Sequence, residues 1–314
     1  MSRPDAPTVS VVVPTYDRGG VLGRAIASVL SQTVEDLELL VIDGGSTDGT
    51  RSVVEGFEDD RLRYVRFEEN EGPNVARNHG IDRSRGEYVA FLDSDDAFTE
   101  TYLERSLGAL AGAPRSVVGS YGSRVWYRGG VEWNLTVADT DVSHDDLRRK
   151  NVVGGFSNVV FRSRTLQRVG GADTALRYCD DYDLFLRATE PDRRLRAARD
   201  AVVDYHIHDS GAPRLSDQLE RRVTGHRQFL ERHRDRLGPA GVANQQYQIG
   251  MAHVRDGDVR AARRYFGRGV RNDPTGWRHW YHFLASLGGV RALRAAAGLK
   301  IHVKRHVYRA IHGL

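Results

Sequence analysis

The chain reads as an α/β protein: a mostly parallel, Rossmann-like sheet flanked by helices, followed by an α-helical C-terminal extension. Three observations predict this. Short runs rich in Val, Ile and Leu alternate with stretches of helical periodicity through the first third of the chain. Polar clusters follow the first, second and fourth of those runs, so they should share one edge of a parallel sheet, where open α/β sheets bind ligands. One run, Glu87-Tyr88-Val89-Ala90-Phe91-Leu92, stops abruptly at Asp93-Ser94-Asp95-Asp96 and puts three carboxylates at a strand end.

The elements follow in order. Val9-Ser10-Val11-Val12-Val13 is a buried strand stopped by Pro14, with Thr15, Tyr16, Asp17 and Arg18 forming the loop at its end. Val21, Leu22, Ala25, Ile26, Val29 and Leu30 recur at helical spacing. A second strand covers 37–42 and ends in Asp43-Gly44-Gly45-Ser46-Thr47-Asp48, where glycine permits close backbone approach and Ser46, Thr47 or Asp48 can cap a helix. A third strand lies over 62–67, and Asn70-Glu71-Gly72-Pro73-Asn74 turns into a helix bearing Ala76, Arg77, Asn78 and Ile81. Leu103, Leu107 and Leu110 mark the helix after the acids, and a strand follows over 117–121. A hairpin turns at Gly129-Gly130. Its Trp126, Tyr127 and Trp133 either stack on a ligand or pack the sheet.

Composition excludes several classes. Of 314 residues, 40% are hydrophobic, enough for a real core. The single Cys179 rules out a disulfide framework and a cysteine-only zinc site, and it fits a reducing, cytoplasmic setting. No apolar run is long enough to span a bilayer, and the polar start carries no signal-peptide pattern. The formal charge of +4, from 46 basic and 42 acidic side chains, is too mild to argue for nucleic acid. There is no phosphate loop of the G-x-x-x-x-G-K type. Carboxylates as close as Asp93, Asp95 and Asp96 read either as a solvated acidic loop or as a hard-oxygen site. In the second reading they hold Mg²⁺ or Mn²⁺, with a substrate diphosphate completing the shell.

The ordered motifs settle on one resemblance. Val11-Val12-Val13-Pro14-Thr15-Tyr16-Asp17-Arg18, then Ile42-Asp43-Gly44-Gly45-Ser46-Thr47-Asp48-Gly49-Thr50, resemble the opening of family 2 nucleotide-sugar glycosyltransferases. Ala76-Arg77-Asn78-His79-Gly80-Ile81, Phe91-Leu92-Asp93-Ser94-Asp95-Asp96 and Gly154-Gly155-Phe156-Ser157-Asn158 continue the match in the right order. The resemblance implies the A-type glycosyltransferase fold, a nucleotide-diphosphate sugar donor (a UDP-sugar by preference) and transfer with inversion. It puts Pro14, Thr15 and Tyr16 beside the base and ribose, with Asp17 and Ser94 in the same nucleotide-sugar set. It puts Asp43 at the base-contacting strand end, although Gly44 stands where many members carry a second acid. Arg77 faces the nucleotide, Asp93 and Asp95 are the metal-binding pair, and His208 completes the metal shell or touches the diphosphate. Cys179-Asp180-Asp181-Tyr182-Asp183 resembles the family's acidic pair at a helix start, with Asp180 where Glu is usual and Asp181 as the base. Taken alone, those carboxylates are also ordinary partners of a helix N-terminus.

The resemblance divides the chain at 1–212, the catalytic domain, and 213–314, a helical extension. Within the extension, 247–272 resembles one tetratricopeptide-like hairpin. Asp273 is the last acidic side chain; beyond it Trp277, Trp280 and Tyr281 precede Arg291, Arg294, Lys300, Lys304, Arg305 and Arg309. That end reads as a peripheral contact with the cytoplasmic membrane face or as a helix packed with its basic face in water. The acceptor is then a sugar or lipid-linked glycan. Two other readings are open: a metal-dependent nucleotidyltransferase, whose glycine-rich basic first loop is missing here, and a non-catalytic nucleotide-sugar-binding module.

Overall fold

The computed structural model describes residues 6–207 and 218–296, so His208 and the basic residues from Lys300 onward lie outside the described residues. The chain divides into two compact units: one takes in 1–144, 153–174 and 180–209, the other 145–152, 175–179 and 210–314.

In the first unit, β1 (Val9–Thr15) and β2 (Leu37–Asp43) are buried at every position. Strands buried on both faces need helices on both sides, which their Val- and Leu-rich runs foreshadow. On one side α1 (Gly19–Leu30) lays Leu22, Ala25, Ile26 and Val29 against Val9, Val11 and Val13. On the other, α3 (Pro73–Arg83) crosses Val12. A Cβ built on Gly80 of this helix would meet Val12 Cγ1 at 2.3 Å, so no larger residue fits without moving the helix. The buried Glu38 in β2 is not a defect. Burial pushes its pKa up, but Ser10 and the backbone and side chain of Arg85 donate to it and bring the net value below the usual carboxylate range.

The remaining elements of this unit are α2 (Thr50–Glu55), β3 (Leu62–Arg66), β4 (Tyr88–Phe91), β5 (Ala97–Phe98), α4 (Tyr102–Leu110), β6 (Val117–Arg128), β7 (Val131–Thr136) and β8 (Val142–Ser143). After α5 (His144–Leu147), whose last three residues belong to the second unit, come β9 (Val159–Arg162), α6 (Ser163–Val169), α7 (Asp180–Ala188) and β10 (Arg194–Ile207). The sheet runs β3-β2-β1-β4-β9-β6-β10-β5, with β7 beside β6 and β8 beside β10. The first four strands are parallel, as their helical crossovers require. The second half is mixed: β9 runs antiparallel to β4 and β6, whereas β10 is parallel to β6. The chain enters β9 through a turn, Phe156–Asn158, that sits at the ligand edge beside Asp93, so the strand must run away from that edge. The hairpin turns where the glycines predict. Gly129 and Gly130 have φ of 57° and 77°, and Arg128 pairs with Val131.

The second unit is helical: α8 (Leu219–His233), α9 (Pro239–Asp256), α10 (Val259–Asn272) and α11 (Trp277–Leu287). Gly257, at φ 86°, ends α9, and Asp258 caps α10 by accepting from the Ala261 amide at 2.9 Å. The short turn folds α9 and α10 into a hairpin. Gly250 lets Phe266 approach so closely that a Cβ there would lie 2.6 Å from its ring. Tyr247, Val254, Ala262 and Phe266 fill the space between them. No helix among the described residues is long and apolar enough to cross a membrane.

Candidate active site

Parallel strands bring their C-terminal ends to one edge. Thr15 pairs with Asp43 across β1 and β2, and Leu92 donates to the Val12 carbonyl as the chain leaves β4. Thr15, Asp43 and Asp93 therefore line that edge, yet they do different things. Asp43 is fully buried. Its Oδ1 accepts from the Ser46 amide at 2.9 Å and hydroxyl at 2.5 Å, and its Oδ2 from the Tyr64 hydroxyl at 2.5 Å. Asp17, at φ 49°, ties the two strand-end loops together: its amide donates to Ser46 Oγ and its carboxylate accepts from the Thr47 amide, both at 2.8 Å. Tyr16 is exposed beside them, and Thr15 Oγ1 is buried with no hydrogen-bond partner among the described residues.

The second cluster forms around Arg77, which is 6% exposed on α3. Its Nη2 donates to Asp93 Oδ1 at 2.7 Å, and its Nη1 to Asn74 Oδ1 at 2.9 Å and Asp180 Oδ2 at 3.3 Å. The guanidinium lies 4.0 Å from the centre of the Phe156 ring, a cation–π contact that holds its plane. One buried cation thus joins the acids after β4 to those that open α7. Cys179 turns the chain into that helix at φ 60°. Asp181 follows, accepting from the Tyr182 amide at 2.7 Å. Burial, then the charge of Asp180, push the Asp181 carboxyl up to about 7; Asp93 adds to this, while the Tyr182 amide and Arg77 oppose it. Burial likewise raises Asp180, against the pull of Arg77.

The acids after β4 have their own support. Ser157 Oγ accepts from the Asp93 amide at 3.1 Å and donates to the buried Asp96 at 2.7 Å, and Arg24 holds the Asp95 carbonyl at 2.8 Å. Ser94 is buried. Among the described residues no three carboxylate, imidazole or thiol groups converge on one point. The donor chemistry still fits a hard divalent cation. Such ions commonly take one or two carboxylates and fill the shell with water and substrate phosphates, and the Asp93 side chain stays 36% exposed after Arg77 has taken one oxygen.

The sequence pattern gives no working role to Ser157, Asn74 or Phe156, and it offers Asp96 only as one of three clustered carboxylates. Ser157 and Phe156 stood inside a quoted motif, but the motif carried no hint that Ser157 would bridge two acids. Tyr205, whose hydroxyl pairs with Asn158 at 3.4 Å, left no signal in sequence; burial and then the charge of Asp96 hold its phenol well above the usual range.

A parallel sheet with acids at the ends of β2 and β4, and a second acid pair opening α7, defines an A-type glycosyltransferase fold. Residues 1–349 of S. aureus TarS, solved with UDP-GlcNAc, superimpose with a TM-score of 0.61 at 16% identity, covering 92% of this chain and 90% of that one. The mannosyltransferase PcManGT from Pyrobaculum calidifontis, solved with GDP-Man and Mn²⁺, superimposes at 0.55 and 20% identity, covering 93% and 86%. The family model described as Glycosyl transferase family 2 matches residues 10–167, about half of the chain, and the protein belongs to that family. Among curated relatives, the putative teichuronic acid biosynthesis glycosyltransferase TuaG of Bacillus subtilis is 34% identical over 165 residues. That match takes in 51% of this chain and 65% of TuaG, so the chain spans less than two thirds of that relative. The succinoglycan biosynthesis protein ExoO of Rhizobium meliloti is 30% identical over 241 residues, 72% of this chain and 69% of ExoO.

Proposed function

We propose that this chain is an inverting glycosyltransferase. It moves a sugar from a nucleotide-diphosphate sugar, read here as a UDP-sugar, to a hydroxyl of a sugar or lipid-linked glycan during assembly of a cell-surface polysaccharide or related glycan. The observation that carries the proposal is the double engagement of Arg77. Through it the acids after β4 and those opening α7 meet at one buried guanidinium, although Arg77 and Asp180 lie 103 residues apart. The names of TuaG and ExoO support the setting, and the ligands of TarS and PcManGT support the donor class and a divalent cation.

In this reading Pro14, Thr15 and Tyr16 take the base and ribose, with Asp17, Asp43 and Ser94 shaping that side of the site. Asp93 and Asp95 hold Mn²⁺ or Mg²⁺, joined by His208. When bound there, such a cation would supply positive charge to offset the departing nucleotide diphosphate. Arg77 fixes Asp93 and Asp180 relative to each other. Asp181 accepts the proton of the acceptor hydroxyl as that oxygen attacks the anomeric carbon. A carboxyl raised to about 7 suits a base working near neutral pH. The test is a nucleotide-sugar panel with Mn²⁺, Mg²⁺ or EDTA, read by released nucleotide and by the anomeric configuration of the product. One donor consumed in a metal-dependent way, with an inverted product, is expected. A retained configuration overturns the mechanism.

The proposal extends to a cytoplasmic location with peripheral membrane contact. On α11, Trp277 is 71% exposed, and Trp280, Tyr281, Leu284 and Leu287 are exposed with it at helical spacing. No acidic side chain follows Asp273, so this face has no charge to repel anionic lipid. Flotation with phosphatidylglycerol liposomes should carry the protein up and phosphatidylcholine liposomes should not. Equal behaviour in both defeats the electrostatic part of this reading.

A further inference from the structure

The helical unit carries a basic pocket that shares no residue with the transfer site. It has a volume of about 540 Å³, within the range of small-ligand sites, and lies among α8, α9 and α10. Arg227 and Arg234 of α8 and Arg264 and Arg268 of α10 line it, with Glu231 as the one acid. None of the four arginines forms an ion pair with a described carboxylate. Arg264 and Arg268 stand one helical turn apart, a like-charge spacing that costs stability unless an anion lies between them. The arrangement is nonetheless organised. Arg227 Nε donates to the buried Tyr265 hydroxyl at 2.9 Å, and Arg268 lies 5.2 Å from the centre of the same ring. Deeper in, Gln246 is 8% exposed, and its Oε1 has no hydrogen-bond partner among the described residues. His253 stacks on Tyr265 at 5.5 Å, and burial above all lowers its pKa; Asp258 and Asp256 oppose this, while Arg227 and Arg264 add to it.

We propose that this pocket binds a phosphate or diphosphate group. Guanidinium forks match phosphate oxygens two at a time, and several forks with little local negative charge are what a dianion needs. The unpartnered Gln246 carbonyl adds an acceptor, so the ligand presents a hydroxyl or a protonated phosphate oxygen next to its charge. The group comes either from a soluble phosphate ester or from a lipid headgroup, and the recognition chemistry is the same for both.

The experiment titrates the full chain with inorganic diphosphate in EDTA, by calorimetry. It compares wild type with the double variant Arg264→Gln/Arg268→Gln and with the control Arg291→Gln/Arg294→Gln. The control removes the same charge from exposed positions outside the pocket. All four substituted side chains are exposed, so both variants should fold, and circular dichroism checks that they do. Single-site binding should weaken about tenfold or more in the pocket variant and less than about twofold in the control. A second arm measures phosphatidylglycerol vesicle binding. Its loss in the pocket variant alone assigns a lipid headgroup, and its retention alongside lost diphosphate binding assigns a soluble phosphate. If both variants bind diphosphate alike, or neither is weakened, the attraction is general surface charge and the proposal fails. Because the pocket and the transfer site have no residue in common, that failure leaves the glycosyltransferase reading untouched.

Discussion

Asp43 and Asp181 are both carboxylates at the functional edge of one sheet, and the fold treats them in opposite ways. Asp43 is sealed from water and given a backbone amide, a serine hydroxyl and a tyrosine hydroxyl from its own chain. Asp181 is drawn from water beside a second acid and left with a raised affinity for a proton. A carboxylate supplied with protein donors holds structure together. A half-buried one with like charge nearby, as Asp181 is, holds its proton more tightly and can exchange it near neutral pH. The contrast teaches that two acids at one edge can differ in how they are hydrogen-bonded and in how tightly they hold a proton.

Substitutions can break that contrast. Asp181→Asn should show the largest effect: turnover with a competent donor should fall by about 10³-fold or more while donor affinity stays within about threefold. In wild type the rate should fall about tenfold per pH unit below about 7, as Asp181 takes up its proton. Because its folded-state carboxyl lies above its unfolded value, Asp181 costs stability at pH values above both and nothing below both. The amide variant should therefore melt no lower than wild type at pH 8, by differential scanning calorimetry; a clear loss of stability would give Asp181 the structural role of Asp43. Asp43→Ala should act the other way, costing about 3 kcal/mol in denaturant titration, because Tyr64 and Ser46 lose a buried acceptor. Arg77→Lys keeps the charge but loses the fork that reaches two carboxylates, and should lower turnover by about 10- to 100-fold. Asp17→Ala should be mildest, near 1 kcal/mol by the same titration, roughly the worth of one partly exposed loop clamp. If Asp17 proved costlier than Asp43, burial would not be what separates structural acids from reactive ones.

Much of the fold was legible in the chain. Val9 to Val13 and Leu37 to Ile42 are apolar at every position but Ser10 and Glu38 because both faces of their strands are covered, and that pattern needs no tertiary information. The Gly129-Gly130 turn was equally plain, since few other residues adopt two successive positive φ angles. The mixed half of the sheet was not legible, because the direction of β9 depends on where Phe156–Asn158 meets the end of β4. At the site, the residues at the strand ends were found but not their division of labour. Ser157 was missed, and with it the anchoring of Asp96, since a serine that bridges two acids looks like any loop serine.

By itself the sequence determined the order of strands and helices, the edge at which the polar clusters gather, and the family. These follow from hydrophobic period, turn chemistry and motif order, which are properties of neighbouring residues. Only the tertiary structure decided how each acid is buried and which groups surround it. Solvation and charge act through space: the donors to Asp43 include a tyrosine 21 residues away, and the cation between Asp93 and Asp180 comes from a third element of the chain.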